Sequence, residues 1–157
     1  MEIYQRNINS IVRRIEKGRI LVEASLLDLD HSARIFLTFD VQERRVVEAR
    51  AEMSKTPFGV CTETLGQLPS LVGLVVERGV VKKVAERLGH KTGCVHLVEL
   101  AVHAIRLASA TLVTEGLGVD SREFAKLSEE ERLRLGRPYL GNTCYAYNEE
   151  RLKEVLD

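Results

Sequence analysis

Tryptophan is absent from this 157-residue chain, and phenylalanine and tyrosine bring the aromatic share to only 5%. So few rings, with no basic residues interleaved among them, exclude a stacking platform for single-stranded nucleic acid. Net charge is missing too: 23 lysines and arginines balance 23 aspartates and glutamates. No general field therefore draws the chain to nucleic acid or to an anionic membrane. Cysteine is scarce, and three residues at wide spacing do not make a disulfide framework. Their thiols are read as free or metal-bound in a reducing cytoplasm. No apolar run approaches the roughly 20 residues of a spanning helix, and MEIYQRNINS lacks the basic-then-apolar layout of a signal peptide. Gly-rich phosphate loops, internal repeats and low-complexity linkers are absent as well. The expectation is a soluble, cytoplasmic protein with no nucleic-acid or membrane partner.

What is present suits one ordinary domain over residues 1–157. Apolar residues make up 45% and charged residues 29%, enough to bury a core without staples. The first third reads as antiparallel strands, about residues 9–52. Asn9 to Ile15 alternates, Glu16-Lys17-Gly18 turns, and Arg19 to Leu27 resumes extended structure. Asp28 to His31 suits a second turn, followed by Arg34 to Asp40 and Arg45 to Ala51. Four strands on short links predict a β-meander with one face free for helices.

The helical layer is expected over about 61–157. Thr56-Pro57-Phe58-Gly59 is a turn, so Cys61 lies where sheet gives way to helix, and Thr62 to Gln67 makes a short helix before Pro69. Arg78 to Leu88 has helical spacing and stops at Gly89. Thr92 is a capping residue for a long helix from about Gly93 to Leu112. Its apolar stripe is Leu97, Leu100, Ala101, Ala104, Ile105 and Ala108. Ser128 to Glu131 has the capping-box pattern and opens a helix that stops at Gly136 and Pro138. Tyr139 to Tyr147 reads as loop or short strand, and Asn148 caps a last helix, Glu149 to Leu156. The fold class is α+β, an antiparallel β-meander packed against helices.

The residues with chemistry gather at the start of the long helix. Positions i, i+3 and i+7 fall within about 60° of one another on a helix. His96, Glu99 and His103 therefore share a face as two imidazoles and a carboxylate. That set suits a divalent metal of the zinc, iron or manganese type, or proton transfer by a histidine that a carboxylate tunes. Cys94 lies where unpaired N–H groups and the helix dipole favour a thiolate. An ideal helix points Cys94 away from His96. Cys61 and Cys144 stand 33 and 50 residues from Cys94, so only the fold can bring them to it. His31 follows a turn aspartate and reads as solvated, His90 as a surface residue, and Lys82-Lys83 and Arg132 to Arg137 as solvated faces.

Gly73 to Leu100, GLVVERGVVKKVAERLGHKTGCVHLVEL, resembles a bacterial domain-of-unknown-function family marked by a Gly-Cys-Thr-His-Leu-x-Glu-Leu segment. Gly93, Cys94, His96, Leu97, Glu99 and Leu100 match, and Val95 replaces the threonine. Cys61 and Cys144 fall where that family has further cysteines, and Tyr145 stands where it usually has histidine. A second pattern, Lys91-x-x-Cys94-x-x-Leu97-x-x-x-Ala101-x-x-Ala104-Ile105 after strands and an earlier cysteine, is similar to NifU/IscU-type iron–sulfur scaffolds. The resemblance implies Cys61 and Cys94 as the first and last cluster ligands, with Glu63 in place of an aspartate. The middle cysteine is missing and Gly93 replaces a histidine, which implies a related fold with a repurposed metal site.

Together these lead to the expectation of a metal-binding domain for iron, zinc or an iron–sulfur cluster. Its ligands would come from Cys61, Cys94, His96 and Cys144, with Glu99 and His103 as ligands or orienting partners. Two other classes compete. One is a small enzyme with Cys94 as nucleophile, His96 as base and Glu99 orienting the histidine. The other is an adaptor with a protein partner and a purely structural cluster.

Overall fold

Alternating apolar residues from Arg19 onward build the middle of an antiparallel sheet. The computed structural model describes residues 1–16 and 18–156. Strands β1 (Arg6–Glu16), β2 (Arg19–Asp28), β3 (Ser32–Asp40) and β4 (Arg45–Lys55) pair with their sequence neighbours in the order β1-β2-β3-β4. This is the expected meander, with two strands longer than their alternation suggests. β1 begins at Arg6 rather than Asn9, and β4 runs on to Lys55. The turn expected at Glu16-Lys17-Gly18 includes Lys17, which lies outside the described residues.

Period-two alternation sets the inward face. Ile20, Val22, Ala24 and Leu26 of β2 and Ala33, Ile35, Leu37 and Phe39 of β3 are buried. Asp28 continues the β2 series and is buried in the same phase. On β4 the register shifts between Thr38–Glu48 and Phe39–Val46, so one extra residue is absorbed there. Ala49, Ala51 and Met53 then stand opposite the inward residues of β3.

The chain divides into two compact units, Met1–Ala110 and Thr111–Asp157. In the first, a 3-10 stretch over Gly59–Leu71 follows β4 and buries Leu68 and Leu71. It is longer than the short helix expected at Thr62 to Gln67. Leu74 and Val76 then run beside the start of β4, exchanging backbone hydrogen bonds with Arg44 and Val46 at 2.7–2.8 Å. Helix α1 (Val80–Leu88) buries Val80, Val84 and Leu88 at i, i+4 and i+8. It starts two residues after the expected Arg78 because Gly79, at φ 88°, is left-handed.

Helix α2 (Val95–Gly116) carries the expected stripe, and Leu97, Leu100, Ala101, Ala104, Ile105 and Ala108 are buried. The burial of Leu97, Leu100 and Ile105 alone contributes of order 5–9 kcal/mol as an upper bound. At 22 residues, with mean hydropathy 1.5, α2 is long and apolar enough to cross a membrane by length and composition, contrary to the sequence expectation. Half of its most apolar window is buried inside the fold.

The second unit holds three short helices. α3 (Ser121–Lys126) has no counterpart among the expected elements, although Asp120 caps it by accepting from Arg122 N–H at 2.8 Å. α4 (Glu129–Leu140) opens on the Ser128/Glu131 capping box, as its sequence pattern requires. It does not stop at Gly136. Tyr147 packs where a side chain at Gly136 would stand and donates its hydroxyl to Arg132 O, so the glycine serves packing rather than termination. Pro138 forfeits a single backbone bond in the last turn, and the helix ends at Gly141, whose N–H bonds Arg137 O. Asn148 caps α5 (Glu149–Leu156) through Glu150 and Arg151 N–H groups. Leu133, Leu152 and Leu156, with Tyr147, form the small core of this unit.

Candidate functional site

The end of the sheet, where β2 turns into β3, holds charge on its inward face. Asp28 and His31 flank the two-residue turn Leu29-Asp30, and Asp28 N–H bonds His31 O at 2.9 Å. On the other side Arg6 of β1 is the direct register partner of Asp28. Strand pairing therefore sets Arg6, Asp28 and His31 in one row. Lys55, at the end of β4, closes over the turn by donating to Leu29 O.

Asp28 is the hub of the row. Its Oδ1 accepts from the backbone N–H groups of Asp30 and His31 at 2.9 and 2.7 Å, and from His31 Nδ1 at 3.0 Å. Its Oδ2 accepts from Arg6 Nε at 2.8 Å and Nη2 at 2.7 Å. The side chain is fully shielded from solvent. Burial pushes the carboxyl up, but hydrogen bonds from Asp30, His31 and Arg6 outweigh it and hold Asp28 well below the usual carboxylate range. Tyr4 lies beside Arg6 and Asp28, and its phenol is raised, by burial first.

Helix α2 brings the second half of the site. Its start depends on Gly93, where any side chain would overlap the carbonyl oxygens of Leu88 and Gly89. The bare backbone lets the chain fold back on the end of α1, and Cys94 N–H bonds Leu88 O at 2.9 Å. Cys94, not Thr92, is the residue whose carbonyl accepts the first helical bond, from Val98 N–H at 3.1 Å. One turn of helix then offers His96 and Glu99 to the same guanidinium. Arg6 Nη1 donates to Glu99 Oε2 at 3.3 Å, and Nη2 stands 3.2 Å from His96 Nε2. The rings of His31 and His96 lie 3.9 Å apart, centroid to centroid, tilted by 47°.

These contacts assign protons. An arginine only donates, so the contact with Arg6 is a hydrogen bond in the His96 tautomer that keeps the lone pair on Nε2 and the proton on Nδ1. Burial, His31 and Arg6 lower its pKa, against weaker opposing pulls from Asp28 and Glu99. His31 faces an ionised carboxylate through Nδ1, so Nδ1 carries a proton there. When His31 is neutral, its Nε2 holds the lone pair. A cleft of about 390 Å³ opens near the first residues of the chain, lined by Tyr4, Asn7, Leu27, Asp28 and Leu29 among others, but not by His31, Arg6 or His96.

The residues marked out in the sequence are distributed differently. Cys61 is half-buried in the 3-10 stretch, Cys94 is half-buried at the head of α2, and Cys144 is exposed in the second unit. All three are free thiols. His103 is exposed, two turns beyond His96 on α2. Among the described residues, no three His, Cys, Asp or Glu side chains form a group able to hold a metal ion. His96 faces Arg6 through Nε2 at 3.2 Å. His31, expected in solvent, is instead 14% exposed and central. Arg6, Asp28 and Tyr4 also escape a motif-based reading. The available signal is phase: Asp28 falls on the inward beat of Ile20 to Leu26, and His31 on that of Ala33 to Phe39.

Fold and site define a class, an α+β domain whose four-stranded antiparallel meander carries a buried, arginine-paired aspartate beside two histidines. More specifically, a family model described as "Protein of unknown function (DUF2889)" matches residues 4–109, well over half of the chain. The chain belongs to that family, and the matched stretch contains every residue from Tyr4 to Glu99 named in the centre. Cys144 and Tyr145 lie beyond it. No curated protein and no solved structure matches the chain, so the likeness to NifU/IscU-type scaffolds stays one of sequence pattern.

Proposed function

We propose that the first unit is a proton-transfer centre for a small polar substrate, with His31 as the base. The observation that carries this is the Asp28–His31 pair. A carboxylate on Nδ1 orients the ring and stabilises the imidazolium, leaving Nε2 to take a proton. Arg6 places a positive charge beside the pair, where negative charge on a substrate would be stabilised. General-base catalysis of this kind contributes about 10²–10⁴-fold. A thiol mechanism with His96 as base is less favoured, because the Nε2 lone pair of His96 faces Arg6.

The test needs no substrate. Diethyl pyrocarbonate acylates neutral imidazole nitrogen, and peptide mass mapping separates His31 from His90, His96 and His103. His31, at 14% exposure, should react measurably though more slowly than the exposed His90 and His103, and Asp28→Asn should slow it alone. An inert His31, or one indifferent to Asp28→Asn, would refute the reading. Elemental analysis of anaerobically purified protein adds a second check. Near-stoichiometric iron or zinc that disappears in Cys94→Ala would replace proton transfer with the metal chemistry read from the cysteine pattern.

A further inference from the structure

The sheet has two edges, β4 and β1. Residues 73–76 cover the start of β4 through backbone hydrogen bonds, Val46 N–H to Leu74 O, Gly73 N–H to Val46 O and Val76 N–H to Arg44 O. On β1 the phase of the ladder tells which groups face outward. Asp28 N–H bonds His31 O and Val41 N–H bonds Gly18 O, so the even-numbered residues of β2 turn their backbone toward β3. The odd-numbered ones, Leu21, Glu23, Ser25 and Leu27, therefore bond β1, where they stand opposite Arg13, Ile11, Asn9 and Asn7. Ile8, Ser10 and Val12 fall in the other phase and aim their N–H and C=O groups away from the sheet. Among the described residues, no backbone hydrogen bond reaches them from that side.

Such an edge is a template for another strand, and the usual safeguards against pairing are weak here. β1 is 11 residues long, holds no proline, and exposes Ile11 and Ile15 at 46% and 50%. Its irregularity falls at the far end, between Arg14 and Glu16. Arg6 and Arg13 are held by Asp28 and Glu23 of β2 at 2.7 and 2.9 Å, so their charge is balanced within the chain.

Charge complementarity selects a second copy as the occupant. The antiparallel register that overlaps the whole strand sets Ile11 on a two-fold axis. Ser10 then stands opposite Val12, Asn9 opposite Arg13, Ile8 opposite Arg14 and Arg6 opposite Glu16, so every arginine meets a neutral or acidic residue. Moving the axis to Ser10 sets Arg6 against Arg14. Moving it to Val12 shortens the overlap and sets Ile11 against Arg13. A parallel pairing in register would stack Arg13 on Arg13 and Arg14 on Arg14. The zero net charge of the chain adds no general repulsion between copies.

We propose that β1 is a dimerisation strand: two copies of this chain pair their β1 edges antiparallel about an axis at Ile11, joining their sheets into one. Ile8, Ser10, Val12 and Arg14 of each copy then share about eight backbone hydrogen bonds across the axis. The dimer is independent of the proton-transfer reading, because the Arg6 guanidinium stays turned to Asp28 and Glu99.

Sedimentation of the full chain from about 1 to 200 µM should show monomer converting to dimer, since a strand-edge contact is small and its affinity micromolar. The outward N–H of Ser10 plays no part in the β1–β2 ladder, so Ser10→Pro should raise the dissociation constant at least about tenfold. Ile11→Lys, which sets two ammonium groups on the axis, should do the same and serves if Ser10→Pro fails to fold. Cross-linking reads the register. Residues facing each other on the axis lie about 4.5–5.5 Å apart, within disulfide reach. Mild oxidation of Ile11→Cys should therefore join the two substituted positions, and peptide mass mapping separates that bond from any at the native Cys61, Cys94 and Cys144. Asn9→Cys should not join, because its two copies would stand about 13 Å apart along the strands. A chain that stays monomeric at the highest concentration leaves the edge to a strand of another protein and overturns the dimer. A dimer that survives both Ser10→Pro and Ile11→Lys, or equal cross-linking at positions 9 and 11, overturns it as well.

Discussion

Replacing Asp28 by asparagine tests the centre most directly, because one atom changes and five hydrogen bonds are at stake. Asparagine keeps an oxygen for the N–H groups of Asp30 and His31 but turns an amide N–H₂ toward Arg6, donor against donor. The two short bonds from Arg6 Nε and Nη2 are lost. Breaking a buried ion pair from one side costs about 3–5 kcal/mol. Arg6 is 32% exposed, so water recovers part of its solvation, and the expected loss is about 2–3 kcal/mol. For a chain of this size that lowers Tm by about 10 °C. The assay is urea and thermal unfolding followed by circular dichroism at pH 7, repeated down to pH 2. The sign of the pH effect follows from the depressed pKa of Asp28. Above about pH 4, the ordinary carboxylate value, the carboxylate is ionised in folded and unfolded chains alike and its stabilisation is complete. Below that, the unfolded chain takes up the proton first and the stabilisation drains away. The gap between wild type and Asp28→Asn should therefore be widest at neutral pH and narrow toward pH 2. A loss under about 0.5 kcal/mol at pH 7, or a gap that widens in acid, would refute the reasoning.

The remaining expectations are simpler. His96 is favoured as the neutral form in the folded state, so wild-type stability should be complete above about pH 6.5 and decline below it; urea midpoints should show this decline, and His96→Gln should lack it. Gly93→Ala should cost about 3 kcal/mol, the upper end for overpacking, since its methyl meets backbone oxygens that cannot step aside. Gly59→Ala, with open space around it, should leave the urea midpoint nearly unchanged. Leu100→Ala removes a fully buried side chain from α2 and should cost about 2–5 kcal/mol. Equal urea midpoints for wild type and Leu100→Ala would mean that α2 is not the core helix described.

Local rules in the sequence were enough for the framework. Alternation over Arg19 to Asp40 determined two strands and their buried face, because side chains on an extended chain point to opposite sides in turn. The 3.6-residue stripe determined which face of α2 is buried, and Ser128/Glu131 and Asn148 determined where two helices begin through hydrogen bonds to their own backbone. Those signals act over a few residues and need no tertiary context. Termination was less legible: Gly136 has the look of a helix stop, yet Tyr147 from a later segment needs its bare backbone. The site was least legible. Cys94, His96 and Glu99 stand together in one motif, but Arg6 is 90 residues from His96 and reaches it only because β1 pairs with β2 in a register that sets it opposite Asp28. His31 was likewise a turn residue until that hairpin turned it inward onto His96. Charge pairs separated by so much chain leave no periodic trace, because the contact exists only after sheet and helix have closed on each other.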